Sequence, residues 1–190
     1  MSVLAPPLAN LAEAPEKAVI ARRVQLAEAR HAAAAAACKA VVALAVVVAV
    51  FTGVFGLAVV QGSGMEPTSG DGDLALTFRM PGQLVAGDVV VYHDRSGNQL
   101  VGRVVALPDN TVEVTAEGTL KVDGTAQPST TGETTQPVQG GLAYPLVLGE
   151  NEYFILGDSR LRATDSRTVG PVGINEVEGK VIALLRLRGI

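Results

Sequence analysis

Ser63 offers a hydroxyl within a loop of small residues, Gln61-Gly62-Ser63-Gly64-Met65-Glu66-Pro67-Thr68, directly after an apolar run ending Leu57-Ala58-Val59-Val60. A short loop of this kind, fixed by Pro67, is a place where a reactive group can be held. A serine nucleophile needs a neighbouring base to take its proton. The nearest sequence candidate is His93, which otherwise reads as a surface-turn histidine. His31 lies in an alanine-rich run and reads as an interfacial residue rather than a ligand. Cys38 is the single cysteine, which excludes an internal disulfide and argues against a structural zinc site. Its plain reading is a small apolar residue. No metal or other cofactor is expected. Asp158, Asp165 and Arg167, within Gly157-Asp158-Ser159-Arg160-Leu161-Arg162-Ala163-Thr164-Asp165-Ser166-Arg167, read as a salt bridge and turn hydrogen bonds that brace the fold.

These residues must be positioned by a chain of two halves. Ala40 to Val60 carries no charge over about 21 residues, roughly 30 Å as a helix and enough for a bilayer core. Five basic residues (Lys17, Arg22, Arg23, Arg30, Lys39) precede it against three acidic ones, which places that side in the cytoplasm. Pro6-Pro7 and Pro15 mark Met1 to about Glu13 as unstructured. Glu16 to Ala37 is rich in helix formers. After the apolar run, ten basic residues face sixteen acidic ones with no basic stripe, so nucleic acid is not an expected partner. Alternating apolar residues and Gly-Asp turns predict strands at 73–78, 87–92, 99–107, 111–114, 118–122, 142–148, 152–158 and 177–187. Thr125 to Gly141 reads as an exposed loop. The expected organisation is a partly helical N-terminal segment (1–39), a single transmembrane helix (40–60) and a mainly β extracytoplasmic domain (61–190).

Four segments of that outer domain, in order, resemble the type I signal peptidases, membrane-bound serine proteases that cut secretory signal peptides. The loop around Met65 is similar to the family's Gly-x-Ser-Met-x-Pro-Thr box, with Met65, Pro67 and Thr68 in frame. Gly72-Asp73-Leu74-Ala75-Leu76 matches the family's Gly-Asp followed by an apolar strand. Gly87-Asp88-Val89-Val90-Val91-Tyr92 is followed by Gly102-Arg103-Val104-Val105-Ala106-Leu107-Pro108, similar to Lys-Arg-Val-Ile-Gly-Leu-Pro. The stretch Gly157 to Arg167 looks like Gly-Asp-Asn-Arg-x-x-Ser-x-Asp-Ser-Arg. The resemblance implies a signal-peptidase-like β domain on one N-terminal anchor.

It also implies a Ser-Lys dyad, and there the chain departs from the pattern. The nucleophile position is Gly64, the general-base position is Gly102, and the serine that supports the lysine falls on Ala163. Glycine supplies neither a nucleophile nor a base, and loss of a whole catalytic unit costs a serine protease roughly 10⁶ in kcat. Ser63 is one residue out of place, which in an extended segment turns its side chain to the opposite face. The expectation is therefore a pseudoenzyme whose groove, with Met65, Pro67, Thr68 and Arg103, still holds a peptide beside a sheet edge. By analogy with degenerate signal-peptidase-like proteins of Gram-positive pilus clusters, the expected clients are secreted or pilin precursor polypeptides. Sortase or the secretion machinery would be a further partner. An active signal peptidase using Ser63 and His93 is the alternative.

Overall fold

In the computed structural model, residues 9–80 and 82–186 are described, with side chains from residue 19 onward. The chain divides into two compact units after Val50. The first consists of most of helix α1, Ala9–Val54. Its apolar side chains are exposed all round, Val41 by 65 % and Leu44 by 64 %. A helix apolar on every face needs a surrounding apolar medium. The stretch Val19–Val54 is long and apolar enough to cross a bilayer, its best window having a mean hydropathy of 2.5.

Two expectations for this region are corrected. The helix starts at Ala9, so residues 9–13 are helical rather than unstructured; residues 1–8 lie outside the described part. At the other end the expected transmembrane helix over 40–60 stops at Val54, and Phe55–Val59 form strand β1. Every residue of β1 pairs with β2 (Leu74–Phe78), from Phe55 opposite Phe78 to Val59 opposite Leu74. The physical reason is that an apolar run has no polarity pattern to separate helix from strand. The available pairing edge decides. Fifteen residues, 40–54, rise only about 22 Å as a helix, so a full span must draw on the alanine-rich turns before Ala40.

The second unit is mainly β. Beyond β1 and β2 its strands are β3 (Val89–His93), β4 (Gln99–Ala106), β5 (Thr111–Val114), β6 (Leu120–Val122), β7 (Thr125–Gln127), β8 (Leu146–Val147) and β9 (Glu152–Leu156). A short helix α2 (Ser166–Val169), β10 (Val172–Gly173) and β11 (Val177–Leu185) complete it. A seven-stranded sheet runs β1-β2-β11-β3-β4-β9-β10, and a smaller one runs β7-β6-β5-β8. Both are antiparallel throughout.

Alternation along these strands divides the apolar side chains among three packed groups. Val90, Tyr92, Val104 and Ile155 pack with Leu84 on one face of the large sheet. Ala58, Val60, Ala75 and Val91 pack as a second group. Val112, Leu120, Phe154 and Leu156 join the small sheet to β9. The stretch expected as an exposed loop, 125–141, begins with the short exposed strand β7 and is exposed over most of its length, with Thr135 tied inward. Thr135 N–H donates to the Gly118 carbonyl at 2.8 Å, and Thr135 is buried.

Candidate functional site

The loop after β1 is closed on itself before it reaches the motif. Val60 N–H donates to the Asp73 carbonyl (2.8 Å), Gly72 N–H donates back to Val60 (2.9 Å), and Gly62 N–H donates to Asp71 Oδ1 (2.7 Å). Met65 then drops into the core at 2 % exposure, anchoring the box. Its far end is held by charge. Arg103, on β4, grips Asp158 with two parallel bonds, Nε to Oδ1 at 2.8 Å and Nη2 to Oδ2 at 2.6 Å, and donates Nη1 to the Gly87 carbonyl at 2.9 Å. The Thr68 hydroxyl donates to the same carboxylate, and Thr130 adds a bond of 3.2 Å.

A fork-to-fork pair of this kind fixes orientation as well as distance. Burial alone would raise the Asp158 carboxyl, but the bonds from Arg103 and Thr68 outweigh it and hold the group below the ordinary carboxylate value. The same bond raises Arg103 further. Met65, Pro67, Thr68, Arg103 and Asp158 thus belong to one assembly, although Pro67 itself is exposed.

A second buried pair braces the other loop. Arg167 bonds Asp165 through Nε (2.9 Å) and Nη2 (2.8 Å), and the same Nη2 reaches the Arg160 carbonyl at 2.6 Å. Asp165 also accepts from Gly157 N–H at 3.1 Å and caps α2 through Arg167 N–H. Ser166 Oγ accepts from Ile155 N–H at 2.9 Å, which ties β9 to this loop.

Of the positions expected to carry chemistry, Gly64 and Ala163 come together between the two loops, whereas Gly102 on β4 does not line the cleft they share. A Cβ on Gly64 would lie 3.2 Å from Ala163 Cα and 3.3 Å from its Cβ, so a side chain there would meet Ala163 at once. Ser159 N–H donates to the Gly64 carbonyl at 3.0 Å. Gly102 lies on β4 opposite Val90, facing the core group of Tyr92 and Ile155. A Cβ there would fall 2.5 Å from Ile155 Cγ2, 3.3 Å from the Leu156 carbonyl oxygen and 3.4 Å from Tyr92 Cε1. The first stem atom of a lysine at this position would overlap a methyl group that is already fully buried.

Tyr92 brings its own cost to that corner. Its hydroxyl is buried with no partner among the described residues, and burial pushes the phenol well above its usual range.

Ser63 and His93 are not brought together. Ser63 lines a cleft of about 140 Å³ with Gly64, Met65, Leu100, Val101, Arg162 and Ala163 among others. His93 ends β3 opposite Gln99 and does not line it. A larger cavity of about 420 Å³, bordered by Glu66, Ser69, Asp73 and Arg186, includes none of the positions matched to the dyad. Among the described residues no group of three or more His, Cys, Asp or Glu has a metal-holding arrangement.

Sequence reasoning missed Ile155, which stands against Gly102, and Arg162, which rims the cleft. Nothing in the spacing signals the first. The second stands beside Ala163 in the motif and could have been found there.

The fold and site define a β-sheet domain that presents a small cleft between a serine-peptidase-type loop and a Gly-Asp loop, on a chain with an N-terminal apolar helix. The family model described as signal peptidase, peptidase S26, matches residues 33–185, and the chain belongs to that family. It is similar to signal peptidase I of Bacillus caldolyticus, 30 % identical over 156 residues that cover 74 % of this chain and 84 % of the relative. Signal peptidase IB of Staphylococcus aureus strain COL is 30 % identical over 141 residues, 64 % of this chain and 73 % of the relative. A solved signal peptidase I from Enterococcus faecalis V583 aligns with 54 % of this chain and 99 % of its own at 26 % identity, with a TM-score of 0.42. The protein is signal-peptidase-like, and its N-terminal apolar helix fits membrane anchoring.

Proposed function

We propose that this protein is a membrane-anchored S26 homologue that binds extended polypeptides without cutting them, and that it serves as an assembly or holding factor for secreted or pilin precursors. One observation carries the reading: the Ile155 methyl stands 2.5 Å from where the first side-chain atom of a base at Gly102 would lie. With Gly64 in the nucleophile position and Ala163 beside it, neither position supplies a serine hydroxyl, and an amine at Gly102 would have to displace Ile155. What supports retained binding is the frame. The Arg103–Asp158–Thr68 assembly still fixes the loop, and Val60 to Met65 still face Leu100 and Val101 across the cleft. Strand addition needs only backbone groups and shallow pockets.

On this reading the helix is a single pass with its basic N-terminal side in the cytoplasm and the β domain outside. Sortase or the secretion machinery would be its partner in a Gram-positive cell.

The test pairs binding with cleavage. The full chain in detergent is titrated with a labelled peptide spanning a signal-peptide junction, and with a pilin-precursor peptide, and is followed by anisotropy and mass spectrometry. Binding with intact peptide is the expected result. Cleavage that disappears in Ser63→Ala would overturn the reading in favour of an active enzyme with an unorthodox site. No binding at all would overturn it in the other direction, towards a purely structural subunit. Deleting the gene with pili left unchanged would remove the pilin role alone.

A further inference from the structure

One buried arginine of the β unit has no acid paired to it. Around the 157–167 loop, three guanidinium groups (Arg103, Arg160 and Arg167) face two buried carboxylates, Asp158 and Asp165. Arg103 takes Asp158 at 2.6 Å, and Arg167 takes Asp165 at 2.8 Å. Arg160 is 4 % exposed, and its bonds go to neutral oxygens, from Nε to the Gly157 carbonyl at 3.0 Å and from Nη1 to the Thr135 hydroxyl. It forms no ion pair among the described residues. Burial, the largest influence on it, holds the guanidinium below the ordinary arginine value. Asp165, Asp158 and Glu133 attract it from farther off without offsetting that, and Arg167 repels it. An arginine does not give up its proton to escape burial, so the charge remains and calls for a counter-charge.

Arg160 borders a cavity of about 260 Å³ that shares no lining residue with the cleft at Gly64 and Ala163. The cavity reaches in to the buried Val104 and Leu120 and out to the exposed Ala86 and Gln127. Arg103 borders it as well, and no acidic residue does. The volume is about nine times the ~30 Å³ share of one water and falls just short of the roughly 300 Å³ at which pockets for drug-sized ligands begin. That is room for a phosphate or a short carboxylate with its water. The planar guanidinium fork matches oxyanions of either kind.

We propose that this cavity binds a small oxyanion, of the phosphate, sulfate or short-carboxylate class, held by Arg160 with Arg103 beside it. The anion supplies the counter-charge that the two buried carboxylates leave unmet. It also steadies the loop behind the motif. Arg160 bonds Gly157 through Nε, and its carbonyl accepts from Arg167 Nη2 at 2.6 Å, so a fixed Arg160 fixes the run that brings Ala163 against Gly64. The site is independent of whether the cleft holds a peptide.

The experiment titrates the full chain in detergent micelles with sodium phosphate, sulfate and acetate in turn. Concentrations stay in the low millimolar range, and sodium chloride holds the ionic strength constant, so that neither screening nor general salt exclusion moves the baseline. Calorimetry reads binding, and a thermal melt reads stability. At least one of the three oxyanions should bind saturably, one per chain, and at ten times its Kd should raise Tm by about 3–6 °C. The tightest of the three names the oxyanion class. Gln127→Glu, at an exposed position on the cavity, introduces a carboxylate with almost no change of shape and should weaken binding about fivefold or more. Arg160→Gln should abolish binding; where its lost hydrogen bonds unfold the chain, Gln127→Glu decides alone. No saturable binding of any of the three ions would overturn the inference. Binding left unchanged by Gln127→Glu would overturn the assignment to this cavity. An acidic peptide that binds where none of the free ions does would overturn the small-anion ligand.

Discussion

Gly102→Ala tests whether the base corner is filled. The new Cβ would start 2.5 Å from Ile155 Cγ2, against roughly 3.5–4.0 Å for carbon atoms at ease, an overlap of about 1–1.5 Å. Ile155 is fully buried between Val104 and Ser166, and as a β-branched residue it has few rotamers to retreat into. The expected cost is that of overpacking a tight core, about 1–3 kcal/mol, or roughly 2–9 °C in Tm for a unit of this size. The partner substitutions make the argument specific. Ile155→Val removes only the δ-methyl and keeps the Cγ2 that collides, so it should leave the cost of Gly102→Ala unchanged. Ile155→Ala removes Cγ2; alone it should cost about 2–5 kcal/mol, but in that background Gly102→Ala should become nearly neutral. The resulting coupling of at least ~1 kcal/mol is read from a double-mutant cycle by urea unfolding. Gly102→Ala within ±0.5 kcal/mol of the native chain, or equal relief by valine and alanine, would refute the filled corner.

Four further outcomes follow from the same geometry. Restoring Gly64→Ser with Gly102→Lys should give no peptide cleavage, and adding Ile155→Ala should be required before any product appears by mass spectrometry. Arg103→Met leaves the buried Asp158 carboxylate unpaired and should cost about 3–5 kcal/mol by urea unfolding. Because the Asp158 carboxyl is held below its unfolded value of about 3.9, its contribution to stability is present above that pH and is lost as acid carries the pH through the lower folded value. A stability profile of the native chain should therefore fall on acidification below about pH 4, and in Arg103→Met that part of the fall should be smaller. For topology, a cysteine placed at the exposed Ser96 in a Cys38→Ala background should react with a membrane-impermeant maleimide on intact cells. Protection until lysis would reverse the orientation.

The loops of this protein were legible in its sequence because turn chemistry is local. Gly-Asp pairs, Met65 within a small-residue box and the 157–167 run each announce a backbone geometry that neighbouring residues alone determine. Strand β5 at 111–114 was likewise readable from alternation, and Arg103 and Asp158 from their place in the motifs. Three features were not legible, each because the deciding partner is distant. Phe55–Val59 looks like the end of a membrane helix until β2, some twenty residues on, supplies the pairing edge. The Thr-rich stretch after β7 is exposed over most of its length, as expected, but nothing in it says that Thr130, Thr131 and Thr135 bond Asp158 and Arg160 from across the fold. Ile155 reads only as a strand residue, and nothing in Tyr153-Phe154-Ile155-Leu156 says that its methyl stands where a lysine would begin.

That last feature bears on the proposal that this site has lost its dyad. Had Gly102 faced an empty channel, the site would be an enzyme's site with two side chains removed. Water or a small ligand would fill the gap, and two substitutions would suffice to revive it. Instead the apolar core fills the space beside Gly102, next to a buried Tyr92 hydroxyl that finds no partner among the described residues. A lysine forced into it would be desolvated as well as crowded. The nucleophile side differs. A Cβ at Gly64 meets Ala163 at 3.2–3.3 Å, close enough to need a few tenths of an ångström of adjustment but not a rebuilt core. The two positions are therefore unequal. A serine at 64 should be accepted at little cost, within about 1 kcal/mol, whereas any side chain at 102 should not. A Gly64→Ser variant as unstable as Gly102→Ala would mean that the two loops, and not Ile155, set the rigidity of the cleft.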